Sequence, residues 1–353
     1  MRLRFLTSTP LEVSRGSGTY VGMTTLAESL RKRGVEVEWA TPSIKLPVYT
    51  LQRLVFNRQL RTRRMTPVDV TVGFDMDGYT LVGSGEGRHV ASIKGVIADE
   101  MRFESGATRA TMAVQARCEH RHVLGADLVI TTSEYSAGRI QALYGVERKP
   151  RIVPELIDLG AWQRQVQGVR VDPGPGKFVV LTVCRFYPRK RLDVLLRAAA
   201  RLRGRIPGLE LRIVGGGPEA PRLRTICREE NLGAVVTWRE DISREELAAE
   251  YRGCDVFCLP SVQEGFGIVF LEAMAAGKAI VAARAAAVPE VVRHGLLADP
   301  DSDESLAAVL EKMYRDPELR RSMAAAGGEW VKQFDADLVG TKVLAVMEEL
   351  VGR

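Results

Sequence analysis

Two carboxylates flank a glycine-bearing turn in the second half of the chain, in the run Glu264-Gly-Phe-Gly-Ile-Val-Phe-Leu-Glu272. The residues before this run have the composition of a buried strand, and those after the turn have that of a helix. A strand, a glycine loop and a helix start leave several backbone N–H groups without partners, and such a place binds phosphate. Gly265 and Gly267 lack the Cβ atoms that would keep a ligand at a distance. Glu264 and Glu272 repel phosphate but accept hydrogen bonds from hydroxyl groups. The run therefore predicts a site for a sugar nucleotide.

Basic residues follow the first predicted strand of the same half, in the run Arg185-Phe-Tyr-Pro-Arg-Lys190. Ligands of doubly wound sheets bind beyond the carboxyl ends of the strands, which is where Arg185 and Lys190 are expected. Arginine grips two phosphate oxygens at once, and lysine supplies a compact charge. Alone, the run fits a solvated basic turn equally well; together with the glycine turn it predicts a diphosphate site.

Two other glycine-containing turns have two interpretations each. Gly216 lies in the run Val214-Gly-Gly-Gly-Pro218, where glycines permit either close approach of a ligand or a tight strand-to-helix connection. In the first half, the loop Ser14-Arg-Gly-Ser-Gly-Thr19 precedes a predicted helix, with Thr19 as a cap. It either faces the ligand, with Gly18 as a donor contact, or is a plain capped loop.

Acidic residues and histidines of the first half raise the question of a metal. Asp75 and Asp77 follow a strand, and paired aspartates hold the metal in another class of sugar transferases. Aspartates in loops are more often caps or solvated charges. His120 and His122 are two apart on a predicted helix and therefore point to different faces. We predict no metal and no other cofactor.

A basic stretch of the first half is interleaved with apolar residues between positions 51 and 64; its arginines are Arg53, Arg58, Arg61, Arg63 and Arg64. An interfacial helix on an anionic membrane has this pattern, and so does an ordinary amphipathic helix with a solvated face. The sequence carries no nucleic-acid-binding signature and few aromatic residues beside the basic ones, so nucleic acid is not predicted as a partner.

The totals describe an ordinary globular protein. The chain has 353 residues, 46% of them hydrophobic and 27% charged, a length that predicts two domains. Its net charge of +6 suits anionic ligands or an anionic surface. The five cysteines form no CxxC pair, which favours reduced thiols in the cytoplasm. We find neither a signal peptide nor an apolar run of membrane-spanning length.

Strand and helix patterns alternate twice along the chain, which predicts two doubly wound α/β domains with a hinge. The predicted strands are 3–7, 35–40, 68–72, 90–93, 127–131, 178–184, 209–214, 235–237, 255–259 and 279–283. The predicted helices are 19–32, 108–124, 133–144, 192–203, 220–230, 245–251, 268–276 and 302–314. The polar segment 163–176 is the predicted linker.

These motifs resemble the retaining glycosyltransferases of the GT-B fold, in family four, which includes sucrose synthases and phosphatidylinositol mannosyltransferases. The resemblance is carried by the run from Ser261 to Gly277, with its Glu-x7-Glu pattern, and is looser across the first domain. It implies two Rossmann-like domains facing each other across a cleft: residues 1–168 on the acceptor side, residues 169–335 for the donor, and a C-terminal helix, 336–353, packing back toward the first domain.

The resemblance also implies roles for residues. Arg185 and Lys190 would hold the donor diphosphate with the backbone amides of Phe266, Gly267 and Ile268. Glu264 would bind the transferred sugar and Glu272 the ribose hydroxyls. The implied reaction retains the anomeric configuration, needs no metal, and transfers a sugar from a UDP- or GDP-linked donor to a small-molecule, glycan or lipid-linked acceptor, in the cytoplasm or at the inner face of the membrane.

The chain departs from the family pattern at five positions. Lys94 stands where the family has a histidine near the reacting sugar, and Pro154-Glu-Leu-Ile-Asp158 replaces the usual Pro-Asn-Gly-x-Asp. Cys184 and Arg191 stand where glycines are common. Two alternatives therefore stay open: a sugar-nucleotide epimerase of the same fold, and an inactive subunit that binds the donor.

Overall fold

In the computed structural model, residues 1–9, 18–44, 46–84, 87–171 and 176–352 are described. The strands are β1 (Arg2–Leu6), β2 (Glu36–Ala40), β3 (Val70–Phe74), β4 (Arg88–Ile93), β5 (Leu128–Thr131), β6 (Arg151–Ile152), β7 (Phe178–Val183), β8 (Leu209–Val214), β9 (Val236–Arg239), β10 (Val256–Leu259), β11 (Ala279–Ala283) and β12 (Leu296–Ala298). The helices are α1 (Gly18–Arg31), α2 (Tyr49–Leu60), α3 (Ile97–Glu100), α4 (Gly106–Gly125), α5 (Glu134–Tyr144), α6 (Leu159–Gly168), α7 (Leu192–Leu202), α8 (Ala220–Glu229), α9 (Arg244–Gly253), α10 (Ile268–Ala275), α11 (Val288–Val291), α12 (Asp303–Arg315), α13 (Pro317–Trp330) and α14 (Ala336–Val351).

The strands form two parallel six-stranded sheets with different strand orders. The first runs β2-β1-β3-β4-β5-β6 and the second β12-β11-β10-β7-β8-β9. Each sheet has one place where the chain reverses its direction of winding, between β1 and β3 in the first and between β7 and β10 in the second. The crevice outside the carboxyl ends of the strands at such a switch point is where ligands bind in open α/β sheets. The predicted doubly wound α/β architecture is confirmed.

The chain divides into two compact units, Met1–Leu156 with Ala336–Arg353, and Ile157–Asp335. In the first unit, apolar residues of α1, α14 and the sheet share one core. Ser29 Oγ donates to the carbonyl of Ala336 at 2.6 Å. A Cβ atom at Gly340 would lie 2.0 Å from Ser29 Oγ, so the close contact between α1 and α14 requires glycine there.

The second unit has a core on each face of its sheet. Trp162 of α6 is buried in one of them, where its ring meets Tyr251 edge to face at 5.5 Å. The segment 159–168 therefore belongs to the second unit, and the division comes earlier than the predicted boundary between 168 and 169. The polar composition around 163–176 concealed α6, which buries only one side; residues 172–175 of the predicted linker lie outside the described residues.

The other differences from the predicted elements are short or C-terminal. The sequence pattern missed β6, of two residues, and β12, of three, which are too short to show a period. It also missed α13. No helix among the described residues combines the length and the apolar character needed to cross a membrane.

Candidate functional site

The switch point of the second sheet brings the two predicted phosphate-binding runs together. Because β7 and β10 are neighbours, the loops that leave their carboxyl ends lie side by side. The backbone N–H of Val262 donates to the carbonyl of Arg189 at 2.9 Å and joins the two loops directly. Segments that are some 70 residues apart in sequence thus form one surface.

Lys190 and Glu264 meet at this surface. The ammonium nitrogen of Lys190 lies 2.5 Å from Glu264 Oε1, and their side chains are only 12% and 9% exposed. Lys190 ends a short 3-10 turn, Pro188–Lys190, just before α7, while Glu264 precedes α10. The structure therefore brings together one residue predicted to bind phosphate and one predicted to bind sugar, as an ion pair.

Arg185 lies in the same loop, at the second position past β7. Its side chain is exposed, and within the described ranges it has no side-chain hydrogen bond or ion pair. A guanidinium group that is not engaged by the protein is free to bind an anionic ligand.

The start of α10 has the geometry of an anion site. Gly267 is its N-cap with φ of 90°, and no side chain caps the helix. A Cβ atom at Gly267 would lie 2.7 Å from the ring of Phe270, so both the conformation and the packing require glycine. Gly265 and Phe266 precede this cap and Ile268 opens the helix. The first amides of an uncapped helix carry partial positive charge, as the predicted phosphate contact requires.

Buried polar atoms near the switch point have no partner among the described residues. They are Thr182 Oγ1 in β7, and Ser261 Oγ and Gln263 Oε1 in the loop after β10. All three side chains are at most 1% exposed. Buried hydroxyl and amide oxygens are nearly always hydrogen-bonded, so each of these three atoms is available to a ligand group that can donate a hydrogen bond. Residue types alone did not single these atoms out, because serine and glutamine are common in loops.

Glu272 lies on α10 and is held by Tyr251. The Tyr251 hydroxyl donates to Glu272 Oε2 at 3.0 Å, and Trp162 Nε1 donates to the backbone carbonyl of Glu272 at 2.9 Å. Burial raises the pKa of the Glu272 carboxyl, while Arg244 and the Tyr251 hydrogen bond oppose that rise. Sequence reasoning missed Tyr251, because a tyrosine in a helix is ordinarily a core residue.

The triple-glycine turn after β8 has mixed requirements. A Cβ atom at Gly215 would lie 2.0 Å from the carbonyl oxygen of Cys184, and one at Gly217 would lie 2.7 Å from the backbone nitrogen of Phe186. These two glycines let the turn pack against the loop after β7. Gly216 has no atom within 4 Å of that position, so the fold leaves open space at the glycine predicted to approach the donor.

Two of the departures from the family pattern contact each other in the first unit. Lys94 follows β4, and its ammonium nitrogen lies 3.0 Å from Glu155 Oε1, with both side chains less than a tenth exposed. The backbone N–H of Lys94 donates to Asp75 Oδ1 at 2.9 Å. Lys94 and Glu155 thus each neutralise the charge that the other buries.

The Asp75–Asp77 loop lies at the switch point of the first sheet and is built into the fold. Asp77 Oδ2 accepts from the backbone N–H of Ser8 at 2.7 Å and from its hydroxyl at 2.6 Å, and Asp77 Oδ1 accepts from Asn57 at 2.9 Å. Arg53 Nη2 lies 3.6 Å from Asp77 and 3.9 Å from Asp75. Burial raises the pKa of Asp75 to about 6, against the lowering effect of Arg53. Both carboxylates are therefore engaged by other residues of the first unit.

The two histidines at 120 and 122 have different neighbours, as their spacing predicted. His120 stacks on Tyr144 with ring centroids 5.3 Å apart, whereas His122 Nε2 lies 2.8 Å from His89 Nε2. His122 Nδ1 donates to the carbonyl of Asp75 at 2.5 Å, so its Nε2 is the acceptor and His89 the donor. Burial lowers the pKa of His89 to about 3 and that of His122 to about 4. The rings of His89 and His122 are therefore neutral, and they contribute to the structure of the first unit.

The predicted loop at 14–19 is described only from Gly18, the first residue of α1. Ser14 and Gly16 lie outside the described residues. The donor contact predicted for Gly18 stays a prediction.

Comparison with known proteins adds a family match for the second unit. Residues 169–330 match the family model described as glycosyl transferases group 1. A GDP-mannose-dependent alpha-(1-6)-phosphatidylinositol monomannoside mannosyltransferase of Mycobacterium tuberculosis is 31% identical over 224 residues, covering 59% of this chain and 57% of the relative. A D-inositol 3-phosphate glycosyltransferase of Pseudarthrobacter chlorophenolicus is 35% identical over 219 residues, covering 59% and 52%. The chain thus spans a little over half the length of these curated relatives.

Solved structures extend the similarity of fold to the whole chain. Sucrose-phosphate synthase from Thermosynechococcus elongatus superposes with a TM-score of 0.83 at 20% identity, covering 99% of both chains. Anabaena HepE in complex with UDP and glucose superposes with a TM-score of 0.72 at 19% identity, covering 99% of this chain and all of HepE. The chain has the two-domain α/β GT-B fold.

Proposed function

We propose that the protein is a retaining glycosyltransferase that moves a sugar from a nucleotide-diphosphate sugar to an acceptor hydroxyl. The observation that carries this proposal is the joining of the 185–191 and 261–268 loops at one switch point. Cations, an uncapped helix start and Glu264, a carboxylate predicted to bind sugar, lie together there. The donor binds in the second unit, and the acceptor binds to residues of the first.

In such a reaction, most of the negative charge that develops in the transition state lies on the leaving diphosphate. Arg185, Lys190 and the amides at the start of α10 stabilise the negative charge that develops as the glycosidic bond to phosphate breaks. Because these groups supply positive charge themselves, the proposed reaction needs no metal ion. A donor phosphate oxygen helps to deprotonate the acceptor hydroxyl, which attacks on the face from which the nucleotide leaves and retains the configuration.

The names of the relatives supply a first acceptor class for testing. Both the mannosyltransferase and the D-inositol 3-phosphate glycosyltransferase are named for substrates that contain an inositol phosphate. A net charge of +6 favours an anionic acceptor of this kind over a neutral sugar. We therefore propose inositol phosphates, free or in a lipid, as the acceptors to examine first.

Peripheral contact with an anionic membrane is part of the proposal and concerns α2 and its flanks. Val48, Tyr49 and Leu51 are 53%, 44% and 48% exposed, and the arginines at 58, 61, 63 and 64 are exposed as well. Exposed apolar and basic residues on one segment are typical of interfacial helices. Arg53 is buried and does not belong to this surface, contrary to its place in the predicted basic stretch. Sedimentation with phosphatidylcholine vesicles, with and without phosphatidylglycerol, tests the contact; equal binding to both would contradict it.

The proposed activity is tested by nucleotide release and by the anomeric configuration of the product. A thermal-shift panel of UDP-, GDP- and ADP-sugars, with EDTA as a control, should identify one preferred nucleotide whose binding survives the chelator. With that donor, release of the nucleoside diphosphate should require an acceptor, and NMR should show the donor's configuration in the product. Loss of binding with EDTA contradicts the metal-free mechanism, and an inverted product contradicts retention.

The buried Lys94–Glu155 pair favours one alternative, an inactive subunit that binds the donor. A lysine that is held by a carboxylate cannot serve as a neutral imidazole does. Donor binding without nucleotide release, for every acceptor tried, would support this alternative. An epimerase would instead convert the donor sugar without any acceptor.

A further inference from the structure

Lys190 and Glu264 form an ion pair in the structure, although the proposed function assigns each of them to a different group of the ligand. Lys190 is assigned to phosphate and Glu264 to the transferred sugar, yet their charged atoms lie 2.5 Å apart. A ligand phosphate that binds the ammonium group therefore competes with the Glu264 carboxylate.

Burial makes this competition costly for a ligand that offers only an anion. Glu264 has a side chain that is 9% exposed, so separating it from Lys190 leaves a carboxylate with little access to water. A buried charge without a partner is strongly destabilising. A nucleoside diphosphate supplies phosphate for Lys190 but nothing for Glu264. A nucleotide-diphosphate sugar supplies hydroxyl groups as well, and these donate to the released carboxylate.

The charges of Lys190 and Glu264 both act on the thiol of Cys184, but this thiol cannot replace either residue in the ion pair. Burial raises the pKa of Cys184 to about 12; the charge of Lys190 lowers it by a smaller amount, and that of Glu264 raises it further. The thiol is therefore neutral at physiological pH and cannot replace the carboxylate as the counter-ion of Lys190.

We propose that the Lys190–Glu264 ion pair acts as a ligand-displaced lock, through which the second unit discriminates the intact nucleotide-diphosphate sugar from the free nucleoside diphosphate. The inference rests on the proposed function and adds a specificity device to it. When the sugar leaves after transfer, Glu264 loses its hydroxyl partners and returns to Lys190. Re-formation of the pair then weakens the hold on the nucleoside diphosphate and favours product release.

Titration calorimetry on the full chain tests the lock with UDP, GDP and the corresponding sugar nucleotides. Glu264→Gln keeps the shape of the side chain and removes the competing charge. We expect it to bind the preferred nucleoside diphosphate about tenfold more tightly than the wild type. Its affinity for the sugar nucleotide should not rise, because a hydroxyl acceptor of full charge is lost. Glu264→Asp, which shortens the reach to Lys190, should give a smaller gain.

Two matched variants separate the lock from general electrostatics. Glu304→Gln removes one negative charge from an exposed position of the same unit, where Glu304 pairs with Arg201 at 3.2 Å, and should leave the affinity unchanged. In a Lys190→Met background, Glu264→Gln should give no gain, because the lock has already lost its cation.

The outcomes distinguish the lock from the function on which it rests. If the nucleoside diphosphate binds the wild type and Glu264→Gln equally, or if the gain persists in Lys190→Met, the lock is refuted and the proposed function stands. If no nucleotide or sugar nucleotide binds any folded variant, both are refuted. Thermal unfolding of each variant establishes that it is folded.

Discussion

The two switch points lie in sheets of different strand order, and the loop side chains beside them differ in their partners. At the first, between β1 and β3, the Asp77 carboxylate accepts from Ser8 and Asn57 and faces Arg53. At the second, between β7 and β10, the Arg185 side chain is exposed and free of side-chain partners within the described ranges, and Ser261 and Gln263 bury oxygens that have no partner there.

The comparison shows what the partners of a side chain imply for its role. The Asp77 carboxylate accepts hydrogen bonds from other residues of the fold, so its removal should lower stability. Arg185 is exposed and has no side-chain partner within the described ranges, so its removal should cost little stability and its guanidinium stays available to an anionic ligand. The position of a residue at a switch point therefore does not by itself predict its role.

The largest expected effect concerns the first switch point, between β1 and β3. Asp77→Ala should lower the free energy of unfolding by about 3–5 kcal/mol, because it leaves the buried Arg53 guanidinium without its nearer carboxylate. It also removes the acceptor to which Ser8 and Asn57 donate. Urea unfolding followed by fluorescence measures the change. Glu349→Ala, which removes an exposed partner of Arg151 in the same unit, should cost less than about 1 kcal/mol. Equal losses for the two variants would contradict the structural role of Asp77.

At the second switch point, between β7 and β10, a substitution should lower activity and leave stability almost unchanged. Arg185→Ala should lower kcat/KM for sugar transfer about 10²–10³-fold, because one stabiliser of the leaving diphosphate is removed. Its free energy of unfolding should stay within about 0.5 kcal/mol of the wild type, since the exposed side chain has no partner to lose. Arg205→Ala, at a position 62% exposed in the same unit, should change neither quantity. Unimpaired transfer by folded Arg185→Ala would remove Arg185 from the mechanism.

The sequence predicted the sheets and the second crevice far better than the first. Alternating apolar runs specified strands such as β8 and β11 to the residue, and the Glu-x7-Glu run marked the start of α10. The network around Asp77 was not predictable, because Ser8 and Asn57 meet it only after the chain has folded. The Lys190–Glu264 pair was missed for the same reason: spacing in sequence gave each residue a ligand but did not show that they contact each other.

The pH dependence of the free energy of unfolding tests the pair of buried histidines beside the first switch point, where His122 donates to the carbonyl of Asp75. The pKa of His89 is lowered to about 3 in the fold, below about 6.5 in the unfolded chain, so the unfolded chain binds more protons as the pH falls. Stability conferred by neutral His89 is therefore complete above about pH 6.5 and is lost as the pH decreases toward about 3. Between about pH 7 and about pH 5 the wild type should lose about 2 kcal/mol relative to His89→Gln.

The comparison with His89→Gln is needed because nearby carboxyls titrate with the opposite sign. Burial raises the pKa of Asp75 to about 6 and raises that of Glu119 as well, so these groups add stability as the pH falls. Both remain in the variant, and their contributions cancel in the difference. Asp127, which accepts from the backbone N–H of His89 at 2.7 Å, also remains. A difference that is independent of pH would show that His89 is not held neutral.

The smallest expected effect tests the backbone that presents Lys190 in the second crevice. Arg191, at a position where the related family commonly has glycine, adopts φ of 52°, and its Nε lies 2.5 Å from Asp301 Oδ1. The left-handed conformation costs a residue with a Cβ atom roughly 1–2 kcal/mol, whereas a half-exposed ion pair returns at most about 1 kcal/mol. Arg191→Gly and Arg191→Ala both remove the ion pair, but only glycine relieves the strain. Glycine should therefore be the more stable replacement by about 1 kcal/mol in urea unfolding, although alanine is usually favoured through the unfolded state. If alanine were equal or better, the turn after Lys190 would not be held in the left-handed conformation, and the position of its ammonium group beside Glu264 would need another cause.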